Sequence, residues 1–169
     1  MSRPKHKLLV KAAGKWLASR CSIVITEIAT GAGEEPDAIG WQGSLSVLIE
    51  CKASRADFLA DRQKLFRHPA FGGLGNRRYY CSFPGIISKE EIPESWGLLE
   101  FNGRNLRICK EALPASNVNV KHEVALLISC LRRIGLKCPK GVSIKNYTYQ
   151  TKNRATLGIE RQGLEDYII

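Results

Sequence analysis

The eight residues LSVLIECK, Leu45 to Lys52, constrain the fold more than any other stretch. Branched aliphatic residues in a short run read as a β-strand, and this one ends on two charges before a helix begins. Side chains alternate along a strand, so Leu45, Val47, Ile49 and Cys51 form the most apolar row, and Ser46, Leu48, Glu50 and Lys52 take the other face. Glu50 and Lys52 therefore emerge side by side. Two runs upstream complete a meander: CSIVITEIAT predicts a strand over 22–30, DAIGWQ a second over 37–42, with turns at GAGEEP and Gly43-Ser44. In an antiparallel meander the start of the second strand lies beside the end of the third. Asp37 is thus expected next to Glu50 and Lys52, and Glu27, past the middle of the first strand, within reach of the same cluster.

The rest of the chain fits around this unit. Leu8, Leu9, Ala12, Ala13, Trp16 and Leu17 recur at helical spacing, with Pro4 suited to a first turn, and predict a helix over 4–19 with one apolar and one lysine-rich face. A second helix starts after Lys52, with Ser54 as N-cap and Asp57 three residues on; Phe58, Leu59, Leu65 and Phe66 share its face. A Gly- and Pro-rich loop, RHPAFGGLGNR, leads to a strand at RYYCSF. A helical turn at SKEEIPESW and two strands, GLLEF and NLRICK, around Asn102-Gly103 follow. The last clear element is a helix over 120–134, capped by Asn119, with Val124, Leu127, Ile128, Leu131 and Ile134 on its apolar face and Gly135 and Pro139 at its stop. Beyond that the pattern is polar and basic. The chain reads as one domain over 1–135 with a basic extension over 136–169, which is an arm, a poorly ordered tail or an edge hairpin around Tyr147 and Tyr149. Trp41 and Trp96 read as packing residues.

Charge narrows the partners. Twenty-six Lys and Arg against sixteen Asp and Glu give a net charge of +10, and cationic surface gains affinity for phosphates by releasing counterions. No apolar run approaches the roughly 20 residues of a membrane span, and the lysine-interrupted amino terminus does not read as a secretory signal. The expected location is the cytoplasm. The six cysteines have neither C-x-x-C pairing nor zinc spacing, which points to reduced, buried thiols.

Carboxylates gathered against a sheet repel one another and resist desolvation, and a divalent cation relieves both costs. Oxygen ligands of this kind suit Mg²⁺, with Mn²⁺ as a substitute, and an adjacent ammonium can position water or stabilise charge on a phosphate. The competing reading of Glu50 and Lys52 is a solvated ion pair on an exposed sheet face, and that of Asp37 a turn residue after Pro36.

Pro36-Asp37 followed by Glu50-Cys51-Lys52 resembles the PD-(D/E)XK nuclease superfamily, and ECKASRADFLADRQK is most similar to its MmcB-like DNA repair group. The resemblance covers about half the chain. It implies a restriction-endonuclease-like α/β (α+β) fold: a central mixed sheet formed by a meander flanked by helices, in αβββαβ order. It also implies a Mg²⁺-dependent deoxyribonuclease, an endonuclease-type hydrolase acting in DNA repair or mobile-element processing. Asp37 and Glu50 would be metal ligands, joined by the Cys51 carbonyl, and Lys52 the catalytic lysine, with Glu27 an additional acidic position. Gln63 and Lys64 match a helix position that faces the active site in several relatives. Together with Arg55, Arg77 and Arg78 they are the expected DNA contacts. A repair or recombination protein is a further expected partner; a dimer is compatible with the sequence, which declares no interface. The alternative is a nuclease-like module that binds nucleic acid without cutting it.

Overall fold

The structure, a computed structural model, describes residues 3–28, 34–64, 67 and 72–133. In chain order these form α1 (Arg3–Ala18), β1 (Ile23–Thr26), β2 (Ala38–Gln42), β3 (Leu45–Lys52), α2 (Arg55–Asp61), β4 (Arg77–Ser82), β5 (Gly97–Phe101), β6 (Leu106–Lys110) and α3 (Val120–Arg133). The six strands make one mixed sheet in sequence order. The β1–β2 and β2–β3 pairs are antiparallel, β3–β4 and β4–β5 parallel, and β5–β6 antiparallel. The fold is therefore mixed α/β, with three helices among the described residues.

Both faces of the central strands are covered, which parallel pairing requires. On one face Ile49 and Cys51 pack with Tyr79, Cys81 and Leu99 beneath Leu9, Val10, Ala13 and Leu17 of α1. On the other, Leu48 joins Ile39, Trp41, Phe58, Tyr80, Trp96, Leu98 and Leu126. Glu50 and Lys52 lie on this second face, yet they are only 2% and 4% exposed. Their burial removes the solvated ion pair as an account of them. At the entry to β4, Gly75 has φ +88°, and a Cβ there would stand 2.6 Å from Leu48 Cβ, so only glycine lets the loop lie on β3.

The meander follows the expected boundaries, except that β1 stops at Thr26 because Glu27 turns to φ +53°. The cap of α2 is also as expected: Ser54 Oγ accepts from the Asp57 amide at 3.2 Å, and Asp57 Oδ2 accepts from Ala53 N–H at 3.3 Å. The helix is short, and Leu59 is exposed; Leu65 and Phe66 lie outside the described residues. SKEEIPESW holds isolated turns, closed by Glu91 N–H to Ser88 C=O and Trp96 N–H to Pro93 C=O. The face of α3 is a correction. Val120, Val124, Ile128 and Leu131 are exposed, whereas Glu123, Leu126 and Cys130 are buried. Glu123 is drawn inward because its carboxylate accepts from Trp41 Nε1 (3.1 Å), Ser46 Oγ (2.7 Å) and the Gly75 amide (2.8 Å).

Five free cysteines are described, Cys51, Cys81 and Cys130 buried and Cys21 and Cys109 half-buried. No helix among the described residues is long and apolar enough to cross a membrane. The chain divides into units Met1–Cys130 and Leu131–Ile169, and the expected extension over 136–169 lies outside the described residues.

Candidate active site

The register sets the geometry. Ala38 pairs with Ile49 across β2 and β3, so Asp37 and Glu50 follow as neighbours at the adjoining strand ends. Asp37 Oδ2 accepts the Cys51 amide at 2.7 Å, and its Oδ1 meets His6 Nε2 of α1 at 3.1 Å. Lys52 Nζ stands 3.1 Å from Glu50 Oε2. The three residues expected together are thus together.

They belong to a larger buried network. Lys52 Nζ also lies 3.0 Å from Asp61 Oδ1 at the end of α2, and Lys64 Nζ reaches the same oxygen at 2.9 Å. Arg67 bridges three acids, with Glu34 at 2.6 Å, Asp61 at 2.7 Å and Glu50 at 3.1 Å. Tyr80 O–H donates to Asp61 Oδ2 at 3.0 Å, and Glu34 also accepts the Leu74 amide at 2.7 Å. Two oxygens are left over: Glu50 Oε1 and Ser82 Oγ are buried with no hydrogen-bond partner among the described residues, and Ser82 pairs with Lys52 across β3 and β4.

The ionisation states follow from these contacts. Burial raises the Asp37 carboxyl above its usual range, and the neighbouring Glu50 adds to the rise. Burial acts against the Lys52 ammonium, but Glu50 and Asp61 outweigh it, so its pKa is raised and the group stays charged. Burial likewise opposes ionisation of Asp61, yet Arg67 and the two lysines hold it well below the usual carboxylate range. For Glu34 burial wins over Arg67, and its carboxyl is raised.

Among the described residues no three His, Cys, Asp or Glu side chains form a group able to hold a metal ion. Two carboxylates do stand together, one carrying a buried oxygen without a partner among the described residues, which fits a Mg²⁺ that keeps several waters and takes one or two carboxylates. The Cys51 side chain points to the opposite, α1-covered face and is 1% exposed, so any ligand role there falls to its backbone.

Several expected residues lie elsewhere. Glu27 is exposed and lines a cleft with Lys7 and Lys11, and only its backbone amide touches Asp37, donating to the carbonyl at 3.1 Å. It is not a member of the cluster. Arg78 is buried and donates to the carbonyls of Leu74, Gly75, Gly73 and Asn117, so it organises the loop before β4 instead of facing a phosphate. Arg77 donates to the Ala112 carbonyl, and Arg55 forms a two-pronged ion pair with Glu91. Gln63 is exposed, and Lys64 sits at the rim of the network through Asp61. Glu34, Tyr80 and His6 were not expected in the site. Arg67 reads from the sequence as a phosphate contact flanking it and Asp61 as a helix residue paired with Arg62 or Lys64; Asp61 does pair with Lys64, and both Arg67 and Asp61 are inside the buried network.

No family model and no curated protein matches the chain. Among solved structures it is similar to the SPO1766 protein of unknown function from Silicibacter pomeroyi, with a TM-score of 0.56 and 22% identity over 82% of this chain and 94% of that one. That likeness shows the mixed α/β fold and nothing of the chemistry.

Proposed function

We propose that the protein is a metal-dependent nuclease of PD-(D/E)XK type that hydrolyses DNA phosphodiester bonds, in repair or in the processing of mobile-element DNA. One observation carries the reading: Asp37 and Glu50 meet at the ends of β2 and β3, Lys52 lies 3.1 Å from Glu50, and the buried Glu50 Oε1 has no partner among the described residues. The element order supports it, since a helix, an antiparallel meander, a helix and a fourth strand parallel to the third is what a restriction-endonuclease-like core requires. The net charge of +10 suits a polyanionic substrate.

In this reading Asp37, Glu50 and the Cys51 carbonyl would hold Mg²⁺ or Mn²⁺, which supplies Lewis acidity toward a phosphate oxygen and a more acidic bound water. Lys52, kept charged by Glu50 and Asp61, serves as a hydrogen-bond donor toward the attacking water or the phosphate, not as a base. Asp61 and Arg67 are positioning residues, fixing Lys52 and Glu50 from behind.

A second reading, a module that binds nucleic acid without cutting, is favoured by one fact: Lys52 and Glu50 Oε2 are already engaged within the network. Cleavage of labelled single-stranded, duplex and forked DNA with Mg²⁺, Mn²⁺ or EDTA, beside Lys52→Ala and Asp37→Asn, separates the two. The nuclease reading expects metal-dependent cutting lost in both variants, and a Mg²⁺-dependent rise in melting temperature lost in Asp37→Asn. DNA binding without cutting, unchanged in Asp37→Asn, supports the binding module instead.

A further inference from the structure

The arginines expected to grip nucleic acid are engaged within the protein, which raises the question of where a polyanion would lie. Helix α1 supplies an answer. Its inner face is sealed by Leu9, Ala13 and Leu17, all 0% exposed, so the outer face is free to take another role. Lys7, Lys11 and Lys15 follow one another at i, i+4 and i+8, and all three are exposed. At 1.5 Å per residue they form a row of ammonium groups about 6 Å apart and about 12 Å long. That step is comparable with the separation of consecutive phosphates along one strand.

The row has a beginning and an end. His6, one residue before Lys7, holds Asp37 at 3.1 Å, so the row starts beside the carboxylate pair. At the other end Lys15 is shared by two clefts. One, of about 350 Å³, runs along Lys7, Lys11, Thr26 and Glu27. The other, of about 300 Å³, is walled by Trp16, Ser19, Arg20 and Arg104, with Arg104 brought from the β5–β6 turn. Arg20 lies over the Trp16 ring at 4.0 Å. Glu27 is the one acidic residue among the described residues lining either cleft, and none of the five cations has an ion-pair partner among the described residues. Such a line of exposed like charges attracts a polyanion, which gains affinity by releasing the small counterions.

We infer that the outer face of α1, from Lys7 through Lys11 and Lys15 to Arg20 and Arg104, is the surface that binds the phosphate backbone of a DNA strand and leads it to the Asp37–Glu50 site. The inference rests on the proposed function for the identity of the polymer, but not for binding itself. A membrane surface is the competing polyanion. It is disfavoured because the apolar side of α1 is packed into the sheet, which leaves Leu8, 45% exposed, as the one large apolar side chain of the helix available to lipid.

The test is equilibrium binding of fluorescein-labelled single-stranded and duplex DNA to the full chain in EDTA, so that no cutting occurs, across 50–200 mM salt. The comparison is Lys7→Gln/Lys11→Gln/Lys15→Gln. With about five phosphate contacts, that fourfold rise in salt weakens the wild type by several hundredfold on duplex DNA, whereas the triple variant, left with about two, weakens by roughly tenfold. The three lysines are exposed, so an unchanged melting temperature identifies the effect as one of binding. Lys89→Gln, exposed and outside the row, keeps the wild-type salt dependence, and because EDTA withholds any metal the readout does not depend on the catalytic reading. Equal affinity and equal salt dependence of wild type and triple variant would overturn the inference. So would triple-variant-sensitive binding to phosphatidylserine vesicles in the absence of DNA binding.

Discussion

Replacing Arg67 with methionine removes the central cation of the buried network while keeping much of its aliphatic volume. The guanidinium serves Glu34, Asp61 and Glu50, whose side chains are 3%, 1% and 3% exposed. Asp61 would retain Lys52, Lys64 and Tyr80, and Glu50 would retain Lys52. Glu34 would retain the Leu74 amide and the attraction of Arg78 but no ion pair among the described residues, so the loss falls mainly there. Breaking a buried ion pair by removing one partner costs about 3–5 kcal/mol, because the other charge stays uncompensated. At about 2–4 °C per kcal/mol for a chain of this size, the melting temperature at pH 7 falls by roughly 6–20 °C. The pH dependence has a definite sign. The Glu34 carboxyl is already raised by burial despite Arg67, and without the arginine it rises further. A carboxyl raised on folding loses stability as pH climbs from its unfolded value, about 4.3, through its folded one. The deficit of the variant therefore shrinks as pH is lowered from 7 to 5, and adding Glu34→Gln recovers part of it at pH 7. Calorimetry at the two pH values measures both effects. An Arg67→Met protein within about 1 kcal/mol of wild type at pH 7 would refute the premise that this cation balances the buried acids.

Three further outcomes are expected. Asp61→Asn removes a carboxylate whose folded pKa is lowered, so its stabilisation is complete above about pH 4 and fades below it; the gap in melting temperature between wild type and variant, full at pH 6, narrows between about pH 4 and pH 2. Glu123→Ala strands the Trp41 indole N–H and the Gly75 amide, at about 1–3 kcal/mol each, which urea unfolding reads as a total loss of roughly 2–6 kcal/mol, with Glu123→Gln milder. Ser54→Ala removes the α2 cap and lowers stability by about 1 kcal/mol in the same assay.

Local signals located the elements well. The bounds of β3 and β5 coincide with the aliphatic runs that suggested them, and Asn119 caps α3 through the His122 amide at 3.1 Å. Alternation along β3 put Glu50 and Lys52 on one face, and the meander put Asp37 opposite. What the sequence could not reveal is how charged residues from distant segments are taken inside. Glu34 reads as part of a polar turn, yet Arg67, far along the chain, gives it a buried partner. The Val and Ile periodicity of α3 pointed to the wrong face because three donors on β2, β3 and the loop before β4 claim Glu123. Arg78 reads as a phosphate ligand because pattern cannot distinguish a guanidinium facing solvent from one collecting loop carbonyls. Glu34 and Glu123 make long-range polar contacts that overrode a local preference, whereas Arg78 was taken up by nearby loop carbonyls and Glu27 by its own backbone turn.

Trp96 gives the network an optical readout of its own. The indole is stacked on Tyr80 with centroids 4.4 Å apart, and the Arg67 guanidinium lies 4.8 Å from its ring. The Tyr80 hydroxyl is in turn bound to Asp61. In a background where Trp16 and Trp41 are phenylalanine, the only remaining indole is buried against a fixed positive charge, and its emission wavelength is set by that charge and the dry surroundings. Drawing Arg67 or Asp61 toward an incoming ion or phosphate changes the field across the ring. Occupancy of the carboxylate cluster then becomes visible as a spectral shift in unlabelled protein, in real time and without any requirement that a bond be cut.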